Sequence, residues 1–214
     1  MEEEKKRLEE ILRFQGIEEA GAKSKKLFLY KGMLEDKRKW ACLVSRGLAS
    51  QYETVVADSV ALAGQLENST KMEVADFGAG GGLLGLVLAI VCPAWNVTLI
   101  EASSRKAAFL AEAAGELNLA NVEIENARAE SLVGKQEFDM VVSRAAGKLK
   151  ELAPVAFALL KQGGRYVALK AAQVEDEIAE ARAENIRGIE VLKAQYPLSH
   201  GVAGRASIVV IKKL

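Results

Sequence analysis

Histidine is nearly absent from this sequence: among 214 residues there is one, His200, and the two cysteines, Cys42 and Cys92, stand fifty positions apart. No zinc-ligand spacing and no disulfide framework can be assembled from such a set, so no metal site is expected. Both cysteines lie among apolar neighbours, Trp40-Ala41-Cys42-Leu43-Val44 and Ala89-Ile90-Val91-Cys92, the setting of a buried reduced thiol. Prolines number only three and half the residues are hydrophobic, which excludes wholesale disorder. Net charge is missing as well. The 29 basic and 29 acidic side chains cancel, ruling out a uniformly basic coat for a polyanion but leaving a local basic face open. The longest apolar run, Leu83 to Ala94, is broken by Gly85 and is too short to span a bilayer, and the opening MEEEKKRLEE carries no apolar leader. A cytoplasmic soluble protein without a membrane partner is the expectation. Its length allows one sizeable core, with one domain plus an extension as the natural division.

What charge there is clusters. Residues 23–46 hold Lys23, Lys25, Lys26, Lys31, Lys37, Arg38, Lys39 and Arg46 against Glu35 and Asp36, a net +6 that leaves −6 for the rest. Leu27, Phe28, Tyr30, Leu34, Trp40, Leu43, Val44 and Leu48 recur there at three-to-four spacing, the pattern of amphipathic helices. Residues 2–15 and 51–67 also read as helices, so residues 1–70 form a helical extension. Its basic stretch is either a solvated lysine-rich face or a phosphate-contacting surface. From residue 71 to 214 strands and helices alternate. Strands are predicted at 72–77, 96–101, 121–126, 138–143, 163–170, 189–196 and 206–213, and helices at 83–91, 105–118, 149–160 and 174–185. Such alternation predicts an α/β fold, a mostly parallel Rossmann-like sheet with helices on both faces. With no helix between them, the last two strands should form an antiparallel pair at one edge.

The most informative stretch is Asp76-Phe77-Gly78-Ala79-Gly80-Gly81-Gly82-Leu83-Leu84-Gly85. Glycines there let the chain turn sharply off the first strand, bring bare backbone to a ligand, and lead into a helix with unpaired N–H groups. On sheets of this kind ligands bind at the carboxyl ends of the strands. A nucleotide-type cofactor fits this better than a flexible connector does. Gly80-x-Gly82-x-x-Gly85, with Glu101 about 20 residues on, formally meets the dinucleotide fingerprint, but Gly78 and Ala79 make the turn too long. Counted from Asp76 the run is Asp-x-Gly-x-Gly, which resembles motif I of the class I S-adenosylmethionine-dependent methyltransferases.

A narrower resemblance lies in DFGAGGGLLGLVLAI, in TLIEASSRKAAFLAEAAGELNLANVEIENARAE and in FDMVVSRAAGKLKELAPVAFALLKQGGRYVALKA, with IVVIKK near the end. Over about residues 58–175 these blocks are similar to the bacterial glucose-inhibited division protein B family, whose members are 16S rRNA guanine-N7 methyltransferases. The resemblance implies S-adenosylmethionine as cofactor, and 16S rRNA or the small ribosomal subunit as partner; a monomer is the expectation. It implies that Gly78, with Gly80 beside it, and Leu83 line the methionine end, while Glu101, Ala102 and Ser103 hold the ribose. Ala129 and Glu130 would meet the adenine, and Arg144, in Val142-Ser143-Arg144-Ala145, would sit at the reacting end. Lys170 is a secondary candidate for substrate contact or else a snorkelling strand-end lysine. Three positions differ from the family pattern: Leu84 replaces a common proline, Ala41 follows Trp40 where an asparagine is usual, and Val55 stands near an expected histidine.

The implied chemistry asks little of a side chain. Guanine N7 presents an in-plane lone pair, so no base must remove a proton, and catalysis is mostly positioning. Arg144 would serve the cofactor carboxylate, guanine O6 or an RNA phosphate rather than N7 itself; a structural ion pair is the alternative. Ser143-Arg144-Ala145-Ala146 is not the Asn/Asp-Pro-Pro-aromatic loop of exocyclic-amine methylation, and Cys92-Pro93 reverses the Pro-Cys order of cytosine C5 transfer. Since A-form helices bury N7, the target guanine should lie in a loop or irregular fold, with the basic stretch gripping nearby phosphates in a salt-sensitive way. An NAD-dependent oxidoreductase, or a non-catalytic RNA-binding module that keeps the cofactor pocket, are the other readings. Binding of NADH rather than S-adenosylhomocysteine would mark the first, and methyl transfer would exclude the second.

Overall fold

The computed structural model describes residues 2–41, 48–66, 70–144, 147–170, 174–198 and 203–213, with side chains for all of these but 37–41, 48–51 and 203. The run MEVADF forms β1 (Met72–Phe77), a central strand buried along most of its length. Side chains alternate across it, so Val74 joins the apolar cluster on one face and Ala75 the cluster on the other. Asp76 therefore points to the same face as Val74, under the helix α4 (Gly85–Val91). All seven residues of α4 are buried, which is why its sequence is apolar all round. β2 (Trp95–Ile100), α5 (Ser104–Glu116), β3 (Val122–Glu125), a 3-10 turn (Ala129–Leu132) and β4 (Phe138–Arg144) follow. α6 (Leu149–Leu159), β5 (Leu160–Lys170), α7 (Glu175–Ala183), β6 (Ile189–Pro197) and β7 (Ala203–Lys212) complete the order.

The seven strands form one sheet in the order β3-β2-β1-β4-β5-β7-β6. β1 to β5 are parallel, whereas β7 runs antiparallel to both β5 and β6, the edge arrangement expected from the sequence. Most strand and helix ends shift slightly from their predicted positions, and one shift has a structural cause. β5 begins at Leu160 rather than at residue 163, and Gly163-Gly164, a pair that also suits a turn, lies inside it: Phe138 pairs with Leu160 and Met140 with Arg165, so residues between them bulge out of the ladder. Gly163, at φ +77, supplies the left-handed step within that bulge.

Three helices, α1 (Glu2–Phe14), α2 (Ala20–Ala41) and α3 (Leu48–Gln65), share a single apolar cluster with α4, α5 and one face of the sheet. Leu27, Tyr30 and Leu34 of α2 are buried, as their spacing predicts, while Trp40, Leu43, Val44 and Cys42 lie outside the described side chains. Two tyrosines fix this layer. Tyr52 of α3 donates its hydroxyl to the Leu27 carbonyl at 2.7 Å, and its ring meets Tyr30 edge-on with centroids 6.3 Å apart. Tyr30, fully buried, donates to the carbonyl of Gly81, in the glycine-rich turn after β1. Replacing Tyr30 with Phe keeps the ring and leaves that carbonyl without its partner, and should cost about 1–2 kcal/mol in chemical denaturation; an unchanged midpoint and slope would contradict this role.

Candidate functional site

Five side chains or turns that the sequence singles out lie at the carboxyl ends of four neighbouring strands. The chain leaves β1 at Phe77 and takes positive φ at Gly78 (72°), Gly80 (59°) and Gly82 (85°), which accounts for the glycines at those positions. Gly85, where α4 begins, is a glycine for a different reason: a Cβ there would lie 2.2 Å from Leu99 Cδ2 and 2.7 Å from Asp76 Oδ2. That close approach lets Asp76 accept the Gly85 N–H at 2.8 Å, satisfying a donor that the helix start would otherwise leave unpaired. The carboxyl is 2% exposed; burial pushes it up from 3.8 to about 7, the Gly85 N–H opposes this, and the nearby Glu101 charge adds to it. Asp76 thus secures α4 from below.

Glu101, just past β2, joins two loops. Its Oε2 accepts the Gly80 N–H and its Oε1 the Ser103 N–H, each at 2.8 Å, in a setting only 8% exposed. The Ile100 carbonyl holds the same turn through the N–H groups of Gly78 at 3.0 Å and Ala79 at 3.1 Å. The two acids that the sequence pairs, Asp76 and Glu101, therefore both grip one turn. Gly78 is exposed, Gly80 and Leu83 half-buried, and a Cβ on Gly80 would meet nothing nearer than the Gly78 carbonyl at 3.8 Å, so open space lies above the turn. Ala102 is exposed and Ser103 half-buried.

Asn126, at the end of β3, donates its amide to the carbonyls of Glu101 at 2.9 Å and Ala102 at 3.3 Å. This link, which the sequence reading missed, ties the Glu101 loop to the turn that follows with buried Ala129 and exposed Glu130. Two further contacts were equally illegible: Tyr30 to Gly81, and Ser59 Oγ to the Leu83 carbonyl at 3.0 Å.

Arg144 ends β4 and is not isolated. Its Nη1 donates to Asp58 Oδ2 at 3.1 Å and to the Val55 carbonyl at 3.4 Å. Val55, at the position where the sequence lacks the expected histidine, contributes backbone to this contact. Lys170 is tied down within the chain: its ammonium donates to the Gly147 carbonyl at 2.6 Å and to Glu177 Oε1 at 2.8 Å, bracing the segment that follows Arg144. The basic stretch is partly committed as well. Lys23, 8% exposed, donates to the Val91 carbonyl at 3.0 Å, Lys26 approaches the Asn118 carbonyl at 3.5 Å, and Lys31 pairs with Glu4. These three groups make contacts within the fold, and Lys25 beside them is exposed. Arg46 and the side chains of Lys37, Arg38 and Lys39 lie outside the described residues, as does His200.

Among the described residues no group of three or more His, Cys, Asp or Glu is arranged to hold a metal ion, and no helix is long and apolar enough to cross a membrane. Cys92 is buried, its thiol pushed up to about 12 by that burial. A cleft of about 580 Å³ lined by Lys71, Asp139, Lys161, Arg165 and Lys212 opens at the opposite, amino end of the strands.

A seven-stranded sheet of this order, with a glycine turn after β1 and an acid after β2, defines a Rossmann-like methyltransferase fold. The fold is shared by the tRNA (m1A58) methyltransferase of Aquifex aeolicus, with a TM-score of 0.57 at 20% identity over 73% of this chain and 68% of that one. More particularly, residues 23–200 match the family described as rRNA small subunit methyltransferase G (GidB), and the chain belongs to that family. Among its relatives is the ribosomal RNA small subunit methyltransferase G of Burkholderia cenocepacia, 37% identical over 147 residues, which cover 67% of this chain and 64% of that protein. The protein of the same name from Sorangium cellulosum is 42% identical over 135 residues, 61% of this chain and 56% of its own. The matched stretch thus spans between 56% and 64% of the length of these relatives.

The buried acid under the turn has a pH signature. An unfolded chain ionises Asp76 from its ordinary 3.8, while the folded protein retains the proton up to about 7. Between those values the folded state binds more protons than the unfolded one, so this group's contribution to stability falls as pH rises, and levels off above. Asp76→Asn should remove the effect: in urea denaturation, the stability of wild type relative to the variant should decline between about pH 4 and pH 7. A difference that does not change with pH would contradict the burial of this charge.

Proposed function

We propose that this chain is a cytoplasmic S-adenosylmethionine-dependent methyltransferase that modifies N7 of a guanine in 16S rRNA, free or within the small ribosomal subunit. The observation that carries the reading is the Glu101 carboxylate. Of its roughly four lone-pair positions two are taken by the N–H groups of Gly80 and Ser103, which leaves acceptor capacity for a pair of ribose hydroxyls. The exposed Gly78 and the open space over Gly80 suit the close approach of a ligand to backbone.

S-adenosylmethionine, when bound, supplies an electrophilic methyl group on a sulfonium sulfur. Gly78, Gly80 and Leu83 would border its methionine end, Glu101, Ala102 and Ser103 its ribose, and Ala129 and Glu130 its adenine. The remaining task of the protein is to hold guanine N7 in line with that methyl, because the N7 lone pair needs no general base. Asp76 is unsuited to such a role in any case, being buried and bonded to Gly85. Arg144 is suited to holding the cofactor carboxylate, guanine O6 or an RNA phosphate, matching a planar donor fork to oxygen acceptors. Residues 1–70 act as a helical brace for the turn, the basic stretch 23–46 within them would give a salt-sensitive grip on RNA phosphates, and residues 71–214 act as the cofactor-binding domain.

Small ribosomal subunits lacking the modification, mixed with tritiated S-adenosylmethionine and this protein, should acquire label. Arg144→Ala, folded normally by circular dichroism, should transfer methyl about 100-fold more slowly through lost positioning. Unlabelled RNA with the wild-type protein would contradict the proposed reaction, and undiminished turnover by the variant would remove Arg144 from the site.

A further inference from the structure

Arg144 is held by a chain of contacts that begins three strands away. Asp58 of α3 uses one carboxylate oxygen for Arg144 Nη1, at 3.1 Å, and the other to accept the Tyr196 hydroxyl from β6. Tyr196 is 2% exposed, and the Arg144 and Asp58 side chains only 24% and 16%. In the sheet β6 is separated from β4 by β7 and β5, and Asp58, on the helix α3 that packs against β6, β7 and β5, bridges that distance. Its register partner on β7 is Gly204. A Cβ at that position would lie 2.0 Å from Tyr196 Cε2 and 2.7 Å from Cζ, so the ring rests on bare backbone that no other residue would leave clear.

Each component is unfavourable as a stabilising device. A strand-interior glycine weakens a strand, and taking a carboxylate out of water costs much of what its ion pair returns. What the arrangement does deliver is direction. With Nη1 committed to Asp58 and the Val55 carbonyl, the guanidinium plane is fixed, while Nε and Nη2 make no hydrogen bond among the described residues. A planar fork anchored at one corner presents its remaining donors along a defined line.

We infer that Asp58 and Tyr196 are positioning residues for Arg144, aiming its free donors at the methyl acceptor, with Gly204 providing the slot through which Tyr196 reaches Asp58. The inference rests on the proposed function in placing Arg144 beside the substrate, but its geometry can be tested without substrate. Tyr196→Phe keeps the ring in its slot and removes only the hydroxyl; Asp58→Asn keeps the shape and removes the charge. In both variants the Arg144 side-chain Nε–Hε resonance, assigned by its loss in Arg144→Lys, should shift or broaden, while Tyr196→Phe remains folded, with a lower melting temperature from the carboxylate oxygen left without its donor. Gly204→Ala, which pushes the ring aside, should alter the same resonance. With subunits and tritiated S-adenosylmethionine, Tyr196→Phe should lower kcat roughly 10- to 100-fold with little change in KM for the cofactor. In an Arg144→Lys background the same substitution should add little, because the two residues act as one unit. An Arg144 resonance unmoved by both Tyr196→Phe and Asp58→Asn would overturn the inference, as would an equal kinetic penalty in the Arg144→Lys background. Should wild type transfer no methyl at all, the proposed function fails, and the resonance alone decides whether Arg144 is positioned by this pair.

Discussion

The Glu101 carboxylate stands where the chain leaves β1 and β2, and each of its oxygens holds one backbone N–H, that of Gly80 on one side and Ser103 on the other. Charge-assisted bonds of this kind are stronger than neutral ones, and here they join two loops that share no covalent neighbourhood. The turn after β1 can keep its left-handed glycines because this anchor, with the Ile100 carbonyl, determines where its N–H groups go. Asp76 performs the matching task on the far side of the turn, where Gly85 begins α4. Between them the two acids leave a backbone surface that is both fixed and open, which is what a ligand recognised largely through peptide groups requires.

The helical layer is part of the same construction. Tyr30 from α2 holds the Gly81 carbonyl, and Ser59 from α3 the Leu83 carbonyl, so the turn is clasped from above as well as from the sheet. Lys23 and Lys26 meet carbonyls at the carboxyl-terminal ends of α4 and α5, where positive charge is favoured. Basic residues that look available for RNA in the sequence are thereby engaged in fastening the brace. In the proposed enzyme, RNA drawn to the outer part of this layer would act on elements already bonded to the cofactor turn.

Much of the architecture was legible because it rests on local pattern. β1 matches its predicted limits since MEVADF ends at the glycines, and the β6–β7 pair follows from the missing helix between IEVLKAQY and ASIVVIKK. The start of β5 was not legible for a physical reason: a Gly-Gly pair that suits a turn also serves a bulge, and only the Phe138–Leu160 pairing shows that the strand begins before it. In the site, Glu101 and the glycine turn could be read from spacing alone. Asp58, Tyr196 and Gly204 could not, because their meeting depends on register and on α3 packing across the sheet, neither of which leaves a periodic trace. Lys170 shows the converse, a strand-end lysine whose ammonium is retained by Glu177 and the Gly147 carbonyl.

The central claim is that the turn between β1 and α4, held by Glu101, is where the nucleoside binds. A crystal structure of the protein soaked with S-adenosylhomocysteine tests this most directly. The account predicts the ribose hydroxyls on the Glu101 carboxylate and the ligand lying along the backbone of Gly78 to Gly80. A nucleoside seated elsewhere, for instance in the cleft between Lys71 and Lys212 at the amino ends of the strands, would contradict it.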